Sequence, residues 1–362
     1  MRVTQQDIAR IANVSQATVS RVVSGDEKVE NSIRDRVLEA MRHHNYQPDV
    51  RARSLRNSRA GLIGLVVNRP HGGLNDDPFF ASLTAHIIDY LQDKPYHLCL
   101  EMAAGESKER AIYDEMLRTR RVDGLILVES EARDSRIERL QHDNFPFVLL
   151  GNPLPSGEIH SVDNDNIHAA ELATSHLLDS GYRRVGILGA RTGVTVSDDR
   201  ITGYQRAIRG RQEDHLIWHA DFGSTAAREA ACRILAEPDR PDALVVLDDL
   251  MAMGVVLAAR GLDLNVPEDL GLVSFNDTKV CDLVDGGLSS VSLNIDQIVK
   301  VACDRLLRII ERRPIVGQRR LIVPTRLKIR GSSIRHPGRP VAAEPDEDNR
   351  DGKGSRDGEV RA

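Results

Sequence analysis

The chain has 362 residues, 41% hydrophobic and 28% charged, with a formal net charge of −5. That length predicts two or three domains, and no apolar run approaches the ~18 residues that a membrane span requires. The start, MRVTQQDIAR, has no signal-peptide core, and four scattered cysteines (Cys99, Cys232, Cys281 and Cys303) fit reduced thiols in a cytoplasm better than a disulfide or zinc framework. Charge is unevenly placed: residues 1–59 hold eleven Lys/Arg against seven Asp/Glu, which leaves −9 on the remainder. A basic head on an acidic body is expected when only the head meets phosphate.

The first elements lie in TQQDIARIANVSQATVSRVVS. Thr4 and Asp7 have capping-box spacing, and Ile8, Ile11 and Ala12 fall on one helical face. Asn13 suits a left-handed turn, Val14 plugs it, and Ser15 has the character of a second N-cap. In the second helix Val19, Val22 and Val23 point inward, while Gln16, Ala17, Ser20 and Arg21 point outward. A short polar helix N-terminus of this kind can bring side chains to base edges in a major groove. A plain structural hairpin is the alternative. Ile33, Val37, Leu38 and Met41 predict the apolar face of a third helix, ended by Asn45-Tyr46-Gln47-Pro48, with Tyr46 packing back.

Residues 49–56 (DVRARSLR) are helix-permissive but too short to be stable alone in water. From Gly61 the pattern alternates apolar strands with amphipathic helices. Strands are predicted over 62–67, 96–101, 124–128 and 147–150, with helices over 79–91, 107–118 and 133–142. The rhythm repeats with helices over 166–180, 199–209, 224–236 and 250–261, and strands over 184–188, 216–220, 243–247 and 270–275. Two such halves imply an α/β body of two lobes with a cleft at the carboxyl ends of the strands. The segment 335–362, rich in Pro, Gly and charge, reads as a disordered tail.

The stretch VSQATVSRVV, together with DDPFF, RRVDGLIL, DLMAMG, VPEDLGLVSFND and GLSSV, resembles the lactose-repressor/galactose-repressor (LacI/GalR) family of bacterial transcription regulators. The resemblance runs over about 3–333. It implies a helix-turn-helix headpiece (1–46), a hinge helix and linker (47–60), and a bilobed periplasmic-binding-protein-like domain (61–334) of two open parallel sheets flanked by helices. Lobe 1 would span about 61–158 and 292–321, and lobe 2 about 159–291 and 322–334. The implied crossings are residues 288–295, followed by a helix over 297–312, and a return strand over 325–329. Glu30 stands where the family has a small hydroxyl residue, and Asp49 where it has Asn. The leucine heptads that tetramerise some relatives are absent from the tail.

The resemblance implies DNA contact by Thr4, Ser15, Gln16, Ala17, Thr18, Ser20 and Arg21, with Gln16, Ala17 and Arg21 at base edges. Ala52, Arg53 and Leu55 match the hinge, Leu55 being the apolar wedge that enters the minor groove. An effector site is implied at Phe79, Phe80, Arg200, Phe222, Asp248 and Asn276: a planar arginine fork, an aromatic wall, and a carboxylate–amide pair suited to sugar hydroxyls. The family has Asn and Asp in the reverse order at the last two positions. Core packing is the alternative for each phenylalanine, and helix capping for Asp248 and Asn276. Asn152, Asp163 and Asp165, near a lobe crossing, fit solvated-loop, dimer-contact or ligand readings alike.

No GxSxG, Walker or HExxH motif occurs, and the twelve histidines show no metal spacing. Neither enzyme activity, a metal nor a cofactor is expected. The expected function is a cytoplasmic homodimeric regulator, a repressor, binding a pseudo-palindromic operator under control of a small carbohydrate. Its rivals are a purine or other non-sugar effector on the same scaffold, a sugar-transport receptor, and an enzyme of sugar or nucleotide metabolism.

Overall fold

A computed structural model describes residues 3–23, 26, 28–46, 59–68, 77–153, 159–212 and 214–335. Ala52, Arg53, Leu55 and the tail lie outside them. The head is built as its caps predict. Thr4 accepts from the Asp7 amide at 3.3 Å, and the Asp7 carboxylate accepts from the Thr4 amide at 3.0 Å, which starts α1 (Gln5–Ile11). Asn13 takes φ 50° in the turn. The Ser15 hydroxyl accepts from the Thr18 amide at 3.1 Å and opens α2 (Gln16–Val23). In α3 (Asn31–His43), Glu30 stands at the N-cap without a side-chain cap bond.

The head core is Ile8, Ala9, Ala12, Val19, Val22, Val29, Val37 and Ala40, with Tyr46 packed against it. Two inward predictions fail: Ile11 is 49% exposed and Leu38 39% exposed. The buried face of α1 centres on positions 8, 9 and 12, and that of α3 on 33, 37, 40 and 41. At 100° per residue, positions 11 and 38 fall on the edge of those faces.

The body alternates as the hydrophobic rhythm requires. The first lobe runs β1 (Leu62–Asn68), α4 (Pro78–Leu91), β2 (His97–Ala103), α5 (Glu106–Thr119), β3 (Gly124–Val128), α6 (Ser135–His142), β4 (Phe147–Leu150) and β5 (Ser161–Asn164). The second runs α7 (Asn166–Asp179), β6 (Val185–Gly189), α8 (Thr195–Ile208), β7 (Ile217–His219) and α9 (Ser224–Leu235). It continues with β8 (Ala243–Val246), α10 (Asp249–Gly261), β9 (Gly271–Phe275) and β10 (Ser289–Ser292). The chain returns to the first lobe for α11 (Ile295–Glu311) and β11 (Arg320–Val323), then adds β12 (Arg326–Lys328) to the second.

Among the described residues each sheet has six strands, in the orders β11-β5-β4-β3-β1-β2 and β12-β10-β9-β8-β6-β7. Every pairing is parallel except β10 with β12. The central strands are apolar throughout because both faces are covered. Ile63, Leu65 and Val67 of β1 pack into one core layer, and Leu62 and Val66 into the layer beneath. Helices lie close where glycine allows it: a Cβ on Gly203 of α8 would stand 2.0 Å from the Ile167 carbonyl oxygen of α7.

The lobe boundaries shift from those expected. β5 pairs with β4 and β11, so the first lobe continues through Asn164 instead of ending at 158, and it reclaims β11 through Val323. β10 stays in the second sheet, so the crossing predicted over 288–295 narrows to Leu293 and Asn294. SVDN carries little apolar signal and RLIV is apolar but only four residues long; their membership is decided by the neighbour they pair with.

Candidate DNA-binding surface and ligand cleft

On α2, Val19 and Val22 are buried while Gln16, Ala17 and Arg21 are exposed together on the opposite face. Thr18 and Ser20 are half-buried along its edge. The hydroxyls of Thr4 and Ser15 are already engaged in the two caps. These two residues thus orient the N-termini of α1 and α2, whose remaining amides and positive dipole ends suit phosphate.

The carboxyl ends of both sheets face a cleft of about 820 Å³, its solvent-open part included. Its mostly apolar lining with a few convergent polar groups suits a small organic molecule. Phe79, Arg200, Phe222, Asp248 and Asn276 all line it. Phe80 does not: it is 2% exposed, packed in the first-lobe core and edge-to-face with Phe79 at 5.3 Å. Adjacent helical residues diverge by 100°, so only one of the pair can face the cleft. The effector assignment of Phe80 is corrected to core.

Arg200 is held more firmly than a surface fork would be. It is 4% exposed, its Nε donates to Asn166 Oδ1 at 3.1 Å, and its Nη1 donates to the Leu247 carbonyl at 2.6 Å. The guanidinium lies 3.9 Å over the Phe275 ring. Nη2 has no hydrogen bond among the described residues and is the donor left for a ligand. Burial lowers its pKa to about 10, opposed by Asp248, Asp163, Asp249 and Asp199. The group stays charged at neutral pH.

Asp248 caps α10, accepting from the Met251 amide at 2.6 Å, and lines the cleft as well; the two readings of this residue coexist. Its neighbour Asp249 is 1% exposed and accepts from Ser274, Ser290 and Thr278, tying together the ends of β9 and β10. Asn276 reaches the cleft from left-handed backbone at φ 100°. Asp277 beside it is ion-paired to Lys328 and, at 2.7 Å, to Arg330.

Glu129, Ser130 and Thr195 of the cleft escaped the sequence reading, whereas Asn152, Asp163 and Asp165 were left open between loop, dimer-contact and ligand readings. Glu129 lines it from φ 56°, its carbonyl accepting from Arg136 Nη2 at 2.8 Å. Ser130 meets Thr195 across the lobes, hydroxyl to hydroxyl, at 2.9 Å. Asn152 Nδ2 donates to Asp199 Oδ2 at 2.9 Å, also between lobes. Asp163 is buried at the cleft wall, whereas Asp165 caps α7 through the His168 amide at 3.0 Å. No motif spacing marks these residues, because they converge only when the lobes fold. Among the described residues no His/Cys/Asp/Glu group could hold a metal.

A helix-turn-helix head joined to a two-lobed body with a cleft is the arrangement of a DNA-binding regulator. The signature described as "Bacterial regulatory proteins, lacI family" matches residues 4–49, and that of a "Periplasmic binding protein-like domain" matches residues 174–333. The HTH-type transcriptional regulator MalR of Streptococcus pneumoniae is 30% identical over 317 residues, covering 86% of this chain and 93% of that protein. A CelR–cellobiose complex superposes with a TM-score of 0.70 at 25% identity, over 91% of this chain and 100% of that one. A lac repressor dimer bound to operator superposes with a TM-score of 0.79 at 23% identity, over 92% and 100%, a likeness of fold. The chain belongs to the lacI family of bacterial regulatory proteins, and it is a DNA-binding transcription regulator.

Proposed function

We propose that this regulator is a homodimeric, cytoplasmic repressor whose hold on a pseudo-palindromic operator is set by a small carbohydrate in the cleft. The observation that carries the reading is the cleft itself. Two phenylalanines, a buried arginine whose Nη2 is unengaged among the described residues, a carboxylate and an amide converge there from two lobes, on the same chain as the head. A CelR–cellobiose complex, among its likenesses, is named for a sugar. No helix among the described residues is long and apolar enough to cross a membrane.

In this reading Gln16, Ala17 and Arg21 meet base edges, and the ends of α1 and α2 around Thr4, Ser15, Thr18 and Ser20 lie on phosphate. Ala52, Arg53 and Leu55 form the hinge, with Leu55 the wedge. Phe79, Phe222, Arg200, Asp248 and Asn276 take the effector. A two-fold dimer calls for a dyad-symmetric site. The test is to select operators from a random duplex pool, then measure release by neutral sugars, sugar phosphates and purines. Dyad-symmetric winners whose affinity changes with a sugar support the reading. A response to purines alone transfers it to the non-sugar alternative.

A further inference from the structure

Asp163 stands out once the cleft is assembled. It ends β5 at the cleft wall and is 6% exposed. Its Oδ1 accepts from the Asn164 amide at 2.8 Å and from Asn166 Nδ2 at 3.0 Å. Its Oδ2 is buried with no hydrogen-bond partner, the nearest cation being Arg320 Nη2 at 3.7 Å. A buried carboxylate oxygen left without a donor is costly, and a ligand that supplies the donor removes that cost.

The rest of the lining agrees in sign. Asp77, Glu129, Asp163 and Asp248 face the cleft, against Arg200 as the cation among the described lining residues. Helix N-termini also point here and would by themselves attract an anion. Two are already satisfied by carboxylates of this chain, Asp77 accepting from the Phe80 amide at 3.1 Å at the start of α4 and Asp248 capping α10, while α8 and α11 open without a side-chain cap. A phosphate or carboxylate entering beside Asp77, Glu129, Asp163 or Asp248 would meet a carboxylate where it needs donors. Hydroxyls would find acceptors.

We infer that the cleft selects a hydroxyl-rich ligand without an anionic group, and that Asp163 is its hydrogen-bond acceptor in the first lobe. This rests on the effector reading above and narrows it by ligand charge. The neutral ligand donates to Asp163 Oδ2, its ring faces meet Phe79 and Phe222, and Arg200 Nη2 donates in return.

Matched pairs test this on the full-length protein: ribose with ribose 5-phosphate, glucose with glucose 6-phosphate, and maltose and cellobiose as neutral disaccharides, with adenine and guanine titrated beside this sugar panel, by calorimetric titration at pH 7.5. Asp163→Asn is the variant of choice, because its amide oxygen keeps the two Oδ1 bonds while a donor replaces the free acceptor. At least one neutral sugar should bind, its phosphate ester where paired should bind at least tenfold more weakly, and Asp163→Asn should lose about tenfold or more in affinity for the neutral sugar. The paired comparison in the unaltered protein needs no variant to fold. Tighter or equal binding of a phosphate ester overturns charge selection yet leaves the carbohydrate reading standing. Unchanged sugar affinity in an Asp163→Asn protein that melts cooperatively overturns the role of Asp163. Binding of purines with no member of the panel overturns this inference and the carbohydrate reading together, and so does binding of nothing at all.

Discussion

Arg21 and Asp163 show how differently two charged residues are used. Arg21 is exposed on α2 beside Gln16 and Ala17, where a guanidinium can fork onto a base edge. Arg21→Ala should weaken binding to the selected operator by roughly 1–3 kcal/mol, with a much smaller loss on scrambled DNA. Equal losses on both, measured by fluorescence anisotropy, would assign the residue to phosphate. Asp163 is buried instead, and burial pushes its carboxyl up to about 6, with Asp199 adding to the rise and Arg320 and Arg200 opposing it. The folded protein therefore holds this proton more tightly than the unfolded chain. Stability falls as pH rises from about 4 through 6, and the penalty is complete above that range. Asp163→Asn removes the penalty. Without ligand, the variant should be more stable than wild type at pH 7.5, by on the order of 2 kcal/mol, with the gap closing near pH 4. Urea melts at both pH values check it; an equal gap at each contradicts the assignment.

At the scale of elements, three chain crossings join the lobes: Asn164 into α7, Leu293–Asn294 into α11, and Val323 into β12. One side chain ties all three. Asn164 Nδ2 donates to the Leu293 carbonyl at 3.1 Å and to the Val323 carbonyl at 2.8 Å, from a site 4% exposed. Asn164→Leu keeps the shape and deprives two carbonyls of their donor, so it should cost roughly 2–4 kcal/mol. Amide exchange should quicken around Leu293 and Asn294 more than in β1 or β8. A melting curve unchanged within about 0.5 kcal/mol would mean water takes over both bonds without loss. The long helices and apolar strands of both lobes were legible in the sequence, because each repeats its burial period many times. β5, β10 and β11 were not. Four residues are too few to show a period, and only a paired neighbour makes them strands.

At the scale of the whole molecule, the head has its own core of Ile8, Val19, Val22 and Val37, separate from the four clusters of the body. DNA recognition and ligand recognition are thus modular. Phe222 is half-buried at the cleft. Phe222→Ala should remove the operator response to a sugar while operator affinity without sugar stays within about twofold. A matching loss of operator affinity in a folded variant would make Phe222 structural. Arg200 is a poorer probe, since its bonds to Asn166 and Leu247 mean that truncation also disturbs the lobe.

The sequence by itself determined what depends on local spacing. The capped helices of the head, the exposed triad on α2, the α/β rhythm and the family's motifs are all patterns that repeat or sit within a few residues. It also marked Arg200, Phe79, Phe222, Asp248 and Asn276 through motif resemblance. Only the tertiary structure decided that Phe80 turns into the core, that Asp249 binds strands together while Asp248 faces the cleft, and that Glu129, Ser130 and Asp163 join the site. Neighbours in the chain part by 100° along a helix, and residues brought together by a fold of two lobes share no spacing that a sequence can display.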